Sequence, residues 1–208
     1  MALDDPRFQS APWTLRGEAI VGFKWVRSDV ARQFVPPDAT VLCPWPGRTL
    51  ALLYLAHYRD SPVGEYHEAI VAPAPIWHRG QLGFWVSHIF VNKARSIAAG
   101  RAIWALPKQP ASMQWTRSAF SALGSGLDLQ VQVTRPRRWV WLPFVGAAMS
   151  RYSNVESWFG VRGVARVGFA RSRLQLADDL GLARLGFSGT FQVCVCERMT
   201  ITIGRPRR

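Results

Sequence analysis

The chain has 208 residues, of which 49% are apolar, and a formal net charge of +13. This length and composition fit a single globular domain over residues 1–208 and exclude a disordered chain. Lysine occurs only at Lys24, Lys93 and Lys108, so arginine supplies the other 23 of the 26 basic residues. A nucleic-acid-binding protein concentrates basic charge on one face or in one run. These arginines are dispersed, so we expect no nucleic-acid partner.

The sequence shows no clear cysteine framework, secretory signal or membrane span. The three cysteines are odd in number and lack the spacing of a zinc site, which argues against a disulfide framework. The first ten residues contain two aspartates and no apolar run, so they do not resemble a secretory signal. The longest apolar stretch, residues 139–149, is too short to span a bilayer. We therefore expect a cytoplasmic protein without a membrane partner.

The predicted elements begin with a strand over residues 16–26, which are rich in branched and aromatic side chains. Residues 29–34 follow as a short helix that Ser28 caps and a Pro-Pro pair ends. The apolar run 49–58 predicts a strand that is buried on both faces. Residues 60–64 have the composition of a turn, so the strand predicted over 65–72 returns as a hairpin.

The second half is predicted to contain one short helix among more strands. Residues 82–91 predict a strand, and Asn92 then caps a helix over 93–99 that Gly100 ends. Residues 135–161 are aromatic and basic with turn residues inside, and we interpret them as a loop or irregular helix. Further strands are predicted near residues 112–117, 127–134, 163–169, 189–195 and 199–203. This succession favours a mainly β (α+β) antiparallel fold over βαβ units.

No phosphate-binding loop, dinucleotide fingerprint, zinc-protease motif or serine-hydrolase elbow occurs in the sequence. The four histidines show no pairing typical of a metal site. His67 and Glu68 are adjacent, so on a strand their side chains point to opposite faces. We expect neither a metal nor a cofactor.

Two ionisable residues stand out because apolar residues surround them. Glu68 lies within the segment YHEAIV, and a carboxylate that faces a β core needs a partner. Lys108 follows the apolar segment WALP. Burial lowers the pKa of a lysine, and the neutral amine is the form that attacks a carbonyl group. The alternatives are a solvent-facing strand residue for Glu68 and a surface lysine after a turn for Lys108.

Two segments resemble the acetoacetate decarboxylase family: SPVGEYHEAIVA, residues 61–72, and AAGRAIWALPKQPA, residues 98–111. In the second, a glycine–arginine pair precedes a proline and a lysine, as in the family's Schiff-base stretch. The resemblance implies that Lys108 forms an imine with a β-keto acid, that Glu68 is a pocket glutamate, and that Arg16 lies near the substrate carboxylate. It also implies a cone-like antiparallel β-barrel with a flanking sheet and a few short helices, in a homo-oligomer.

The sequence departs from the family pattern at two positions. The family's decarboxylases have a second lysine after the reactive one, where this chain has Gln109, and a second pocket glutamate where our alignment places Leu53. The leading hypothesis is a Schiff-base lyase of the decarboxylase, aldolase or dehydratase type that acts on a small keto acid or other carbonyl compound. The alternatives are a non-catalytic small-molecule-binding barrel and an arginine-rich module for nucleic acid or anionic membrane.

Overall fold

Within residues 8–208, which the computed structural model describes, the chain forms 14 strands, two α-helices and one 3-10 turn. The strands are β1 (Trp13–Arg27), β2 (Thr40–Val41), β3 (Arg48–Asp60), β4 (Tyr66–Ala72), β5 (Pro75–His78), β6 (Gln81–Trp85), β7 (His88–Val91), β8 (Lys108–Pro110), β9 (Ser112–Trp115), β10 (Ala119–Gly124), β11 (Leu127–Val133), β12 (Val140–Tyr152), β13 (Val155–Asp178) and β14 (Gly189–Ile203). The helical elements are α1 (Ser28–Arg32), α2 (Ala94–Trp104) and the 3-10 turn Leu182–Leu185. The mainly β prediction is confirmed.

All 14 strands belong to one mixed sheet. Its main path runs β2-β5-β6-β12-β13-β14-β1-β3-β4-β7-β8, and β9, β10 and β11 branch from β13. Most neighbours are antiparallel, whereas β6 with β12 and β7 with β8 are parallel. The hydrogen-bonded path does not close on itself, so the expected barrel is a curled, open sheet.

The short segment between β6 and β7 links the two arms of this sheet. The backbone N–H of Val86 donates to Met149 on β12, and that of Ser87 donates to Val71 on β4. Residues 82–91 are therefore two strands with a crossing between them, rather than the single strand predicted. The crossing therefore connects β12 and β4, which both line the space that the sheet encloses.

Residues 135–161 differ most from the sequence prediction. They contain all of β12 and the beginning of β13, which form a long antiparallel hairpin from Val140 to Val167. The prediction of a loop or irregular helix was wrong because β12 carries apolar residues on both faces, with Pro143 and Gly146 inside it. Over most of its length β12 pairs only with β13, and such an edge position tolerates proline.

Two buried clusters pack against opposite faces of the sheet. The first, here called the solid core, includes Leu53, Phe90, Phe120, Leu129 and Leu174. The second, here called the cavity core, includes Trp13, Tyr58, Ile89, Trp104 and Phe159. Strand β3 serves both cores, because its successive side chains alternate between the faces. Leu53 and Leu55 enter the solid core, whereas Ala56 and Tyr58 enter the cavity core.

Residues 1–7 lie outside the described part of the chain, and with them most of the ten residues in which we expected no secretory signal. Between residues 8 and 208, no helix combines the length and apolar character that crossing a bilayer requires.

Candidate active site

The cavity core surrounds an internal space of about 430 Å³. Its walls come from β1, β3, β4, β6, β7, β12, β13 and β14, and α2 with the start of β8 contributes one end. Most of the lining is aliphatic or aromatic. Among the lining residues, which all belong to the described part, Glu68 is the only acid and Lys108 the only base.

Lys108 and Glu68 meet inside this space. The Lys108 Nζ atom lies 2.7 Å from Glu68 Oε2 and 2.9 Å from Ser96 Oγ. It also lies 5.3 Å from the centre of the Tyr66 ring. Lys108 is 4% exposed, Glu68 is 3% exposed and Ser96 is fully buried. An ammonium group has three N–H donors, so these partners leave little of it unsatisfied. The structure therefore brings two of the three sequence-predicted site residues into direct contact.

Helix α2 explains how Lys108 reaches this position. The helix ends at Trp104 and is followed by Ala105, which has a left-handed backbone (φ 51°), and the N–H of Leu106 bonds back to the carbonyl of Gly100. Pro107 then sits in a tight turn that the N–H of Lys108 closes on the carbonyl of Leu106 at 2.8 Å. This reversal directs the Lys108 side chain back along α2.

Gly100 and Arg101 have distinct roles in holding the lysine. A Cβ atom at Gly100 would lie 2.6 Å from Lys108 Cε, so only glycine leaves room for the lysine stem. The guanidinium of Arg101 donates to the Lys108 carbonyl, with Nε at 3.0 Å. The prediction that Gly100 ends the helix was wrong, because α2 continues for one further turn to Trp104. Asn92 does not cap α2 either, since its Oδ1 accepts the backbone N–H of His67.

Three tyrosines complete the polar end of the cavity. The hydroxyls of Tyr54 and Tyr58 are 2.9 Å apart, and Tyr66 is hydrogen-bonded with Ser96. Burial raises the pKa of all three phenols, and the charge of Glu68 adds to this effect. They therefore remain neutral at physiological pH and keep their hydroxyl protons. Sequence analysis missed these tyrosines and Ser96. Ser96 stands four residues before Gly100, a spacing that places both on one helix face once α2 is known to extend past Gly100.

Arg16 lies apart from this site. Its Nη1 atom is 2.8 Å from Asp60 Oδ2, and both side chains are 63% exposed. The cavity-lining residues of β1 include Val21 and Phe23, which occupy odd positions, and Arg16 occupies an even one. Because successive strand side chains point to opposite faces, the structure does not bring Arg16 together with Lys108 and Glu68.

The structure also shows the surroundings of Gln109 and Leu53, the two residues that differ from the family pattern. Gln109 follows Lys108 on β8 and pairs with Phe90, so no second ammonium stands next to the lysine. Leu53 packs in the solid core and faces away from the cavity, whereas Leu52 and Tyr54 line the cavity. The two neighbours of Leu53 that face the cavity are therefore an apolar leucine, Leu52, and a neutral phenol, Tyr54. Glu68 has no second carboxylate beside it among the lining residues.

Comparison with known sequences places the chain among related proteins. The sequence model of the acetoacetate decarboxylase family matches residues 2–141. Protein NEOXANTHIN-DEFICIENT 1 of Oryza sativa subsp. japonica is 32% identical over 107 residues, which are 51% of this chain and 35% of the rice protein. The chain thus spans about a third of the length of this curated relative.

Solved structures match almost the whole chain. An acetoacetate decarboxylase from Legionella pneumophila has a TM-score of 0.63 at 15% identity, with 96% of this chain and 88% of that one covered. The enduracididine biosynthesis enzyme MppR, in complex with pyruvate, has a TM-score of 0.64 at 15% identity, with 95% and 90% covered. At 15% sequence identity, these structural similarities establish the fold of the chain.

Proposed function

The chain belongs to the acetoacetate decarboxylase family, and from the site that it carries we propose that Lys108 forms a Schiff base with a carbonyl compound bound in the cavity. The observation that carries the proposal is the buried contact of 2.7 Å between Lys108 Nζ and Glu68 Oε2 at the polar end of an otherwise apolar space. A neutral amine and a nearby acid are the two groups that imine formation requires.

The first step is a proton transfer between these two groups. The ammonium of Lys108 gives one proton to the carboxylate of Glu68, which leaves a neutral amine beside a neutral carboxylic acid. This transfer does not change the net charge of the buried pair, so it needs no proton from solvent. Gln109 provides no charge that would help expel the proton, so the acceptor role falls to Glu68 alone.

The second step joins lysine and substrate. The amine attacks the carbonyl carbon, and the resulting carbinolamine loses its hydroxyl group as water when Glu68 returns its proton. The product is an iminium ion on Lys108 beside the Glu68 carboxylate, and one water molecule has been released. Tyr66 and Ser96, which surround the nitrogen, are placed to hydrogen-bond the departing oxygen.

The iminium ion is an electron sink for the bond that breaks next. In a β-keto acid it accepts the electron pair of the carbon–carbon bond as carbon dioxide leaves, and in other carbonyl compounds Glu68 removes a proton from the neighbouring carbon. The second course leads to aldol or dehydration chemistry. The pyruvate complex of MppR, a protein of this fold, supports a carbonyl compound as the ligand.

Reductive trapping tests the proposal. The protein is incubated with a panel of ketones, aldehydes and keto acids, sodium borohydride is added, and the intact mass is measured. We expect one adduct per chain with the wild type and with the matched controls Lys24→Ala and Lys93→Ala, and none with Lys108→Ala. An adduct that persists in Lys108→Ala would refute the proposal, and so would the lack of any adduct with the whole panel.

A non-catalytic binding protein is the second candidate. The observation that favours it is the pair of hydrogen bonds from the ammonium to Glu68 and Ser96, which tie the amine to protein groups. Such a protein would bind carbonyl and non-carbonyl ligands of the same shape equally well. Equal affinities for a ketone and the matching hydrocarbon, without trapping, would favour this candidate over the enzyme.

We extend the proposal to a homo-oligomer that works in the cytoplasm. Val140 and Trp141 on β12 and Phe169 on β13 are 50%, 55% and 65% exposed. Val140 pairs with Val167, which shares a strand face with Phe169, whereas Trp141 points to the other face. Exposed apolar side chains of this kind are typical of surfaces that another protein covers. Light scattering coupled to gel filtration measures the mass in solution, and a monomer at micromolar concentration would contradict this part of the proposal.

A further inference from the structure

Within residues 8–208, the cavity lacks a partner for a substrate carboxylate. Lys108 is the only cationic residue of this described part that lines the cavity, and its ammonium is already paired with Glu68. Arg16, the residue expected near a carboxylate, lies on the other face of β1 and pairs with Asp60. A carboxylate that entered this space would lose its hydration without gaining a counter-ion, which is strongly unfavourable.

The remainder of the cavity is suited to hydrocarbon. Between the polar end and the opening, the walls consist of residues such as Val21, Leu52, Ile70 and Phe144. A volume of about 430 Å³ lies in the range of pockets that enclose ligands of drug size. This volume is therefore much larger than that of a four-carbon keto acid. The part of the cavity that such a ligand would not fill is lined by apolar side chains, which water solvates poorly.

The opening of the cavity is apolar as well. Phe23, Leu142 and Val145 line the cavity and are 45%, 42% and 87% exposed. The polar end is closed, since Tyr58, Tyr66 and Trp104 are at most 3% exposed. A ligand whose carbonyl reaches Lys108 therefore extends its other end along an apolar channel toward an apolar rim.

We propose that the substrate is an uncharged aldehyde or ketone with an extended hydrocarbon body and no carboxylate. This inference rests on the proposed Schiff-base function of Lys108 and names its substrate class. The reaction at Lys108 is the balanced condensation already described, in which the amine and the carbonyl give an iminium ion and one water molecule. Glu68 then acts on a proton of the carbon next to the imine rather than on a carboxylate.

Chain length provides the test. Methyl ketones from 2-butanone to 2-dodecanone are compared with pyruvate and acetoacetate in borohydride trapping at a series of concentrations. Each added methylene should lower the half-saturating concentration about fourfold until the cavity is filled. The two keto acids should need at least a hundredfold more than 2-decanone. Trapping of pyruvate or acetoacetate at lower concentrations than the long ketones would overturn the inference while the Schiff-base function stands.

A non-covalent measurement separates the two proposals. Lys108→Met cannot form an imine, and its binding of 2-decanone is followed through the fluorescence of Trp13 and Trp104, which line the cavity. Saturable binding of 2-decanone but not of pyruvate supports the apolar substrate class even if trapping of the wild type fails. The absence of 2-decanone binding to both the wild type and Lys108→Met would overturn it.

A variant of the wall tests where the hydrocarbon lies. Leu52 is four residues along β3 from Ala56, the partner of Glu68, or about 13 Å at the usual strand rise. Leu52→Trp should narrow the channel there and abolish the gain from long chains. Leu123→Trp is the matched control, because Leu123 is 63% exposed and lies outside the cavity lining. An unchanged chain-length dependence in folded Leu52→Trp would contradict the inference.

Discussion

The two faces of the sheet are built from the same strands but have different tasks. On β3 and β4, Leu53 and Val71 fill the solid core, whereas their immediate neighbours Leu52 and Ile70 border the cavity. The solid core consists of buried apolar side chains, and their burial contributes stability. The cavity face leaves a large space open and buries an ion pair, Lys108 with Glu68, at a cost in desolvation. Because successive side chains of a strand point to opposite faces, residues that stabilise the fold alternate with residues that border the site.

The largest expected effect comes from breaking the buried ion pair. Glu68→Gln leaves the Lys108 ammonium without its anion and should lower the free energy of unfolding by about 3–5 kcal/mol. The double variant Glu68→Leu with Lys108→Met removes both charges, and it should recover most of that loss. Urea unfolding of the wild type, Glu68→Gln and the double variant measures these differences in free energy of unfolding. A double variant less stable than Glu68→Gln would show that the pair is a net source of stability.

Truncation of the solid core should have the next largest effect. Leu53→Ala removes a side chain that is 5% exposed and should lower the free energy of unfolding by about 2–5 kcal/mol. Because Leu53 faces away from the cavity, adduct formation at Lys108 should not change under conditions in which the protein is folded. Urea unfolding and reductive trapping on the same sample provide the two measurements. Loss of trapping in folded Leu53→Ala would contradict the separation of the two faces.

Gly100→Ala should have a smaller effect on stability and a large one on the site. The added methyl group lies 2.6 Å from Lys108 Cε and forces the lysine stem to move, which costs about 1–3 kcal/mol and should slow trapping at least tenfold. Gly160→Ala is the matched control, because no atom lies within 4 Å of the Cβ position there. Equal trapping rates in the two variants would show that the stem has freedom to adjust.

Truncation of the cavity wall should change stability less. Leu52→Ala adds space to a cavity that already exists, so the free energy of unfolding should fall by less than about 1 kcal/mol. The comparison with Leu53→Ala is the sharpest one that the chain offers, since the two leucines are adjacent and serve opposite faces. Leu53 is buried in the solid core, and Leu52 is partly exposed in the cavity wall. Thermal unfolding of both variants is sufficient, and equal losses would contradict the distinction between a solid and an open core.

The smallest expected effect is a pH dependence of stability, and it arises from a histidine that packs against the solid core. His88 packs between Phe34 and Phe90, and burial lowers the pKa of its imidazole. The unfolded chain then binds a proton more readily than the folded one, so stability should fall as the pH drops below the unfolded histidine pKa of about 6.5. His88→Phe should weaken this slope between pH 7 and 5. An unchanged slope in urea unfolding would show that another group is responsible.

Sequence reasoning predicted what depends on local pattern. The first strands and their hairpin follow from branched, aromatic and apolar residue content and from turn composition, and Lys108 and Glu68 follow from two short segments that resemble the family. It could not predict β12, because an apolar edge strand with Pro143 inside it lacks both alternation and a clear boundary. It also missed Tyr54, Tyr58 and Ser96, because nothing in their own segments reveals that distant elements meet at one point.

Gly100 misled the sequence analysis for a related reason. A glycine followed by a short apolar stretch and a proline is typical of the end of a helix, and the sequence alone does not distinguish that role from a close contact. Here the missing side chain is required because the stem of Lys108 occupies its place. Tertiary packing, rather than local propensity, determines the residue at this position.

The arrangement of α2 has a consequence for how such proteins diversify. Ser96, Gly100 and Arg101 hold the head, the stem and the backbone of Lys108, so one continuous stretch of 13 residues, 96–108, encodes the nucleophile together with its support. Two of the three rim residues, Leu142 and Val145, come from β12, and the family match ends at residue 141, just before them. Mutations in β12 can therefore alter ligand choice without disturbing the chemistry, so new specificities can arise around an unchanged reactive lysine.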